Sequence, residues 1–160
     1  MSKIDTTKMT PRTGSAYPGK LSAEMAGRSI YGLGNEGRLT QFGVNLVMLE
    51  PGAKSSLRHW HMHEDEFVLV TEGELVLVMD EGETSMSAGE CAAFKAGVQN
   101  GHHLINKSDK VGKFLVVGTR AANEVAYYSD IDMKVKVGPE GFDFTKKDGS
   151  PLDPEMGENS

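Results

Sequence analysis

The sequence predicts an all-β chain, a small barrel or sandwich of short antiparallel strands with short, mostly irregular arms at both ends. Three observations predict it. Between Phe42 and Tyr128, short runs rich in Val, Leu, Phe or Tyr recur with Gly, Asp, Asn or Ser between most of them, as half-buried strands separated by turns require. No segment of ten residues carries a helical period. Of the six prolines only Pro51 lies between Arg28 and Val137, so little in the centre would interrupt a hydrogen-bonded ladder.

Residues 1–28 read as an N-terminal arm, polar and mildly basic at first, with room for one or two helical turns over Leu21 to Gly27. The barrel is assigned to residues 29–137. Its predicted strands cover Phe42 to Leu49, Ser56 to His61, Phe67 to Thr71, Glu74 to Met79, Thr84 to Met86, Cys91 to Phe94, His102 to Asn106, Phe114 to Thr119 and Val125 to Tyr128. Asp80-Glu81-Gly82 predicts a tight hairpin between two of them. Residues 138–160 form an acidic, turn-rich tail in which Lys147-Asp148-Gly149-Ser150-Pro151 is a loop signal. Phe142 and Phe144 alternate there, so part of the tail is expected to dock.

The 160 residues suit one domain with one core. A formal charge of -6, with no block of Lys and Arg, argues against nucleic acid as a partner. A local cluster such as Lys54 with Arg58 could still hold an anionic ligand. The single cysteine, Cys91, cannot form an internal disulfide, and it reads as a small buried residue rather than a nucleophile. Neither a signal peptide nor a membrane span is visible, so a cytoplasmic chain without a membrane partner is expected.

The run His59-Trp60-His61-Met62-His63-Glu64-Asp65-Glu66 carries the chemistry. Side chains two apart on an extended segment share a face, so His59 and His61 can aim at one point while Trp60 faces away. Glu66 can join them after a short turn. Imidazoles with a carboxylate are the ingredients of a divalent-metal centre. His63, in the turn, reads as solvated or as a supporting group, and Glu64 and Asp65 as a solvated charge pair.

With its flanking glycines this run resembles the first motif of the cupin superfamily, the matching positions being Gly52, His59, His61, Glu66 and Gly73. One residue more than usual separates Gly52 from His59. The second cupin motif is recognisable in Gly89, Gly97, His102 and Asn106, with Lys95 in place of a proline and four residues rather than two between Gly97 and His102. The Arg58–His61 and Gly101–Leu104 signatures resemble a group of small bacterial single-domain cupins, some of which carry sugar-phosphate isomerase labels.

The resemblance implies a jelly-roll barrel over about Leu39 to Tyr128, and one divalent transition ion (Fe, Mn, Zn or Ni) held by His59, His61, Glu66 and His102. Parity places His102, Leu104 and Asn106 on one face and His103 on the other. Val68 and Val70 share the parity of Glu66 and should line the space beneath the metal. Arg58, Gln99, Asn100, His103 and Tyr127 are candidate supporting groups, although Arg58 alternates with His59 and so is expected to face away. The expected function is an enzyme acting on a small oxygenated compound, of dioxygenase, isomerase or lyase type, with a non-catalytic small-molecule-binding or sensing cupin as the alternative. Outward Trp60, Phe67 and Leu69 suggest a homodimer, with the Tyr17-Pro18 arm crossing to the partner.

Overall fold

Period-two burial organises the molecule, because each strand must turn one side toward the barrel interior and the other outward. The computed structural model describes residues 3–153 and Met156. Its strands are β1 (Arg28–Tyr31), β2 (Phe42–Leu49), β3 (His59–His61), β4 (Glu66–Glu72), β5 (Glu74–Met79), β6 (Gly82–Ser87), β7 (Cys91–Phe94), β8 (His103–Ile105), β9 (Gly112–Thr119), β10 (Glu124–Tyr128), β11 (Lys134–Gly138) and β12 (Gly141–Thr145). One helical turn, α1 (Leu33–Glu36), lies between β1 and β2, and a 3-10 stretch covers Gly19–Met25.

The strands form three antiparallel sheets, in the orders β1-β2-β9-β4-β7, β12-β11-β10-β3 and β6-β5-β8. Together they make a jelly-roll barrel. One end is filled by Val47, Leu49, Val68, Val70, Leu75, Leu77, Met86, Leu104 and Phe114, so Val68 and Val70 form a packed apolar floor. A second cluster, Ala126, Tyr128, Met133 and Val135, packs against Tyr17, Leu57 and Phe144.

The Asp80-Glu81 turn closes the β5–β6 hairpin, with Met79 paired to Gly82. Gly73, between β4 and β5, has φ +76° and sits so close to the next loop that a Cβ would lie 3.0 Å from the Val111 carbonyl oxygen. Only glycine meets both demands.

Several details differ from the sequence reading. The predicted strand from Ser56 to His61 is a ladder only over His59–His61, because the preceding residues turn to reach β8 through Ser55. Three further strands appear. β1 is short and is held between β2 and a bridge from Arg12 to Ile30, a tertiary pairing that local composition does not announce. β11 and β12 form a hairpin in which Val135 and Val137 alternate with lysines, and Phe144 docks while Phe142 remains exposed.

Cys91 is exposed. It pairs with Leu69 on the outer face, while its neighbour Ala92 turns inward against the core. Nor does the Tyr17 segment leave its own chain. The Tyr17 ring lies edge-on to Tyr128 at 5.5 Å and to Phe144 at 6.0 Å, and its hydroxyl accepts a hydrogen bond from the Leu57 amide.

Asn106 is fully buried, and its amide donates to the Leu49 and Lys110 carbonyls at 2.8 and 2.7 Å. Its side-chain oxygen accepts from the Ser108 amide and hydroxyl. The motif asparagine therefore braces the turn after β8 against β2. Asn106→Ala, which strands two carbonyls, is expected to cost about 2–4 kcal/mol of stability in urea unfolding.

Candidate metal centre

β3 presents His59 and His61 on one side because they are two apart on a strand, and β10 holds that orientation through Tyr128 paired with His59 and Ala126 paired with His61. Trp60 points the other way and stacks on Tyr127, ring centres 4.7 Å apart and planes 13° from parallel. His59 Nδ1 lies 2.8 Å from the Leu57 carbonyl oxygen. A carbonyl can only accept, so Nδ1 carries the proton and Nε2 presents a bare lone pair.

That nitrogen is 3.1 Å from His61 Nε2. Glu66, the first residue of β4, places Oε1 3.1 Å from His102 Nε2 and Oε2 3.5 Å from His61 Nε2. His59, His61 and Glu66 each offer one atom within 4.8 Å of the others, and His102 closes the group through Glu66. It arrives on a two-residue bridge to His59, with backbone N···O distances of 3.2 and 2.9 Å. Phe94 lies flat on its imidazole, ring centres 3.6 Å apart and planes 2° from parallel. The preceding Gly101 admits no side chain, since a Cβ there would fall 2.0 Å from Ser129 Oγ.

The electrostatics favour the cation-binding forms of His59 and Glu66, and the protonated form of His61. Burial, reinforced by His61 and His102, pushes the His59 pKa down to about 3, so this imidazole is neutral. Burial alone would raise the Glu66 pKa, but the hydrogen bonds from His102 and His61 outweigh it and hold the carboxyl well below the usual range. For His61 burial works toward the neutral form, and the Glu66 carboxylate overrides it and raises the pKa. A divalent transition ion taking the place of the protons that the His61 and His102 rings share with Glu66 would satisfy all four groups together.

Residues 45–118 match the Cupin domain family. A protein described as a sugar phosphate isomerase of the cupin superfamily, from Silicibacter pomeroyi, is 60% identical, with 97% of this chain and 99% of that one covered and a TM-score of 0.95. The chain belongs to the cupin superfamily. A provisionally described sugar phosphate isomerase from Acidithiobacillus ferrooxidans shares the fold at 22% identity, covering 94% of this chain and 93% of its own, with a TM-score of 0.77. A polyketide cyclase from Streptomyces resistomycificus shares it at 20% identity, covering 74% and 79%, with a TM-score of 0.61. No curated protein matches.

Within this cupin the other candidate residues separate cleanly. His103 points away from the four, its Nδ1 2.9 Å from the Ser56 carbonyl oxygen. Arg58 is engaged by Asp80, by Asp130 at 2.6 Å and by the Gly101 carbonyl at 3.3 Å, so it ties three segments together rather than facing the interior. Asn100 bonds the Asp80 amide and Glu81 carboxylate, pinning the hairpin turn. Gln99 is exposed. Tyr127 is taken up by Trp60, and exposed His63 lies beside Glu124.

Two acids stand behind His61: Glu124, which the sequence reading passed over, and Glu64, which it took as part of a solvated charge pair. Glu124, only 3% exposed, accepts hydrogen bonds from the Met62 and His63 amides and lies 3.7 Å from His61 Nδ1. That separation is longer than a hydrogen bond, so the carboxylate faces the ring by charge alone. Glu64 is half-buried rather than solvated, accepts from the Ala121 amide at 2.8 Å, and has a pKa raised by burial. Glu124 shares the parity of Ala126 and Tyr128, a signal usable only once β10 is known to pair with β3.

His59 takes a proton more readily when unfolded, near its ordinary 6.5, than when folded, near 3. Between those values the unfolded state binds more protons, so the stability of metal-free protein should fall as pH falls below 6.5. Glu66, with its pKa depressed, adds to the loss below 4.5, whereas His61, with its pKa raised, acts in the opposite sense above 6.5. Chemical denaturation at stepped pH should show His59→Gln flattening the acid slope by up to about 1.4 kcal/mol per pH unit.

Proposed function

We propose that this cupin is a metal-dependent isomerase of small phosphorylated sugars, holding one divalent transition ion on His59, His61, Glu66 and His102. The observation that carries the metal reading is the meeting of the bare His59 Nε2 with His61 Nε2 beside a Glu66 carboxylate that also contacts His102. The reaction class is taken from the relative of 60% identity, whose description is sugar phosphate isomerase. Fold alone would not choose it, since a polyketide cyclase shares the barrel.

Bound there, a divalent ion would supply Lewis acidity to a carbonyl or to neighbouring oxygens of the substrate. The chain supplies the rest. Neutral His59 and anionic Glu66 stand ready as ligands, Phe94 and the Leu57 carbonyl fix two ring planes, and the floor below Glu66 keeps water out. Moving a proton between adjacent carbons needs an acid-base group whose pKa approaches the working pH. Glu64 stands with Glu124 behind His61, so it would tune that ligand rather than reach the substrate.

The protein purified without a histidine tag should hold close to one divalent ion per chain after reconstitution. His102→Ala should weaken binding by 100-fold or more and His103→Ala by no more than about tenfold. Loss of metal in both histidine variants alike would refute the ligand set. Tight binding of sugar phosphates without conversion under any metal would refute the isomerase and leave a binding cupin.

We also propose a homodimer through the outer face of the five-stranded sheet. Phe42 and Phe67 stand 42% and 39% exposed there and line a groove with Ala93 and Val117, an apolar area that a monomer would leave in water. Light scattering should give a dimer for the unaltered chain and a folded monomer for Phe67→Asp.

A further inference from the structure

A second polar cavity lies across the same sheet from Glu66. It measures about 380 Å³ and is lined by the side chains of Arg12, Asn35, Asn45 and Arg120 together with Thr10 and Gly43. In a chain of net charge -6, two guanidinium groups share this one cavity, and neither is in an ion pair among the described residues. Arg120 bonds the Leu39 carbonyl and the Asn35 side-chain oxygen, both neutral. That holds its fork in place and leaves its charge unmatched. Arg12 makes no side-chain hydrogen bond among the described residues, although its backbone is fixed by the bridge to Ile30. Arg58 is different, since two carboxylates of its own chain already engage it.

The register connects this cavity to the four-residue centre. Phe94, Glu66, Gly118 and Gly43 lie in one row across β7, β4, β9 and β2, and residues directly opposite each other point to the same face. Phe94 and Glu66 both reach His102, so this is the barrel's inner face. Along the rest of the row there is no side chain. A Cβ at Gly118 would meet only the Asp65 carbonyl oxygen, at 3.5 Å, and one at Gly43 would meet Arg120 Nε and the Gly118 oxygen at 3.8 Å. From Glu66 to Gly43 is two strand spacings, roughly 10 Å.

We infer that Arg12 and Arg120, with the amides of Asn35 and Asn45, form the subsite for the phosphate of an open-chain sugar phosphate whose carbonyl end lies at the His59, His61, Glu66 and His102 centre. Planar guanidinium forks match phosphate oxygens in pairs, and the asparagine amides add neutral donors. The span suits a phosphorylated chain of five or six carbons and exceeds what a triose phosphate reaches. This assignment of substrate class rests on the isomerase reading given above, while the anion subsite itself does not.

The test uses the full chain and its variants Arg12→Gln, Arg120→Gln and the double variant, each checked for an unchanged melting temperature and metal content. Arg12→Gln is the cleaner single change, because the Arg12 side chain braces nothing. Inorganic phosphate titrated into metal-free protein, followed by amide NMR shifts, should perturb Gly43 and Asn45 and bind at least tenfold more weakly to Arg12→Gln. In metal-loaded protein a pentose 5-phosphate should bind at least tenfold tighter than the parent pentose and than a triose phosphate, and the double variant should lose that preference. A folded double variant that binds inorganic phosphate and pentose phosphate as the unaltered chain does would overturn the subsite. The two readings fail separately: arginine-dependent phosphate binding without isomerisation upholds the subsite and removes the isomerase, whereas isomerisation indifferent to both arginines does the reverse.

Discussion

Two backbone hydrogen bonds between His59 and His102 carry the architecture of the centre. They join β3, in the four-stranded sheet, to the residue entering β8, in the three-stranded sheet, and so bring together segments remote in sequence. Antiparallel pairing leaves no freedom as to which side a residue faces. With His59 fixed by Tyr128 on one edge and His102 on the other, both imidazoles turn inward, and a slip of one residue would have exchanged His102 for His103. The junction is guarded at close range. Gly101 leaves room for Ser129, and Arg58 grips Asp130 and Asp80 while donating a further hydrogen bond to the Gly101 carbonyl.

That arrangement explains why a basic residue beside a ligand histidine is unavailable to a substrate. Arg58 is mostly buried, and its pKa is raised by Asp130 and Asp80 against the opposing effect of burial. Its partners Asp80 and Asp130 are themselves exposed, and with the Gly101 carbonyl they tie it to three segments, so its role is to hold the loops that carry His59 and His102. The cationic groups free to meet a ligand lie elsewhere, on residues that sequence reading passed over.

Much of the barrel was legible because alternation and turn chemistry are local. The β5–β6 hairpin follows from Asp80-Glu81-Gly82, and the inward sense of Glu66, Val68 and Val70 follows from parity. What escaped depends on partners distant in sequence. β1 exists by virtue of β2 and Arg12, and Glu124 matters because β10 lies against β3. Cys91 was misjudged for the same reason, since an isolated run Cys-Ala-Ala-Phe does not say which of its alternating residues faces the core. The same parity that exposes Cys91 turns Phe94 onto His102. Tyr127 and Tyr128 were likewise indistinguishable until the pairing with Trp60 and His59 was known.

Net charge says little about which ligand a local site can hold. The acid excess of the chain resides largely in surface groups and in the tail, and at physiological salt such charges are screened beyond about 8 Å. What an anion would meet is the local arrangement: the positive end is set by Arg12 and Arg120, and Glu66, the nearest inward carboxylate along the glycine row, is itself engaged by His102 and His61. The two ends of the row thus differ in sign and in chemistry. A barrel that packs Val, Leu and Phe densely at one end leaves its inner face open at the other only where side chains are absent, as at Gly43 of β2 and Gly118 of β9.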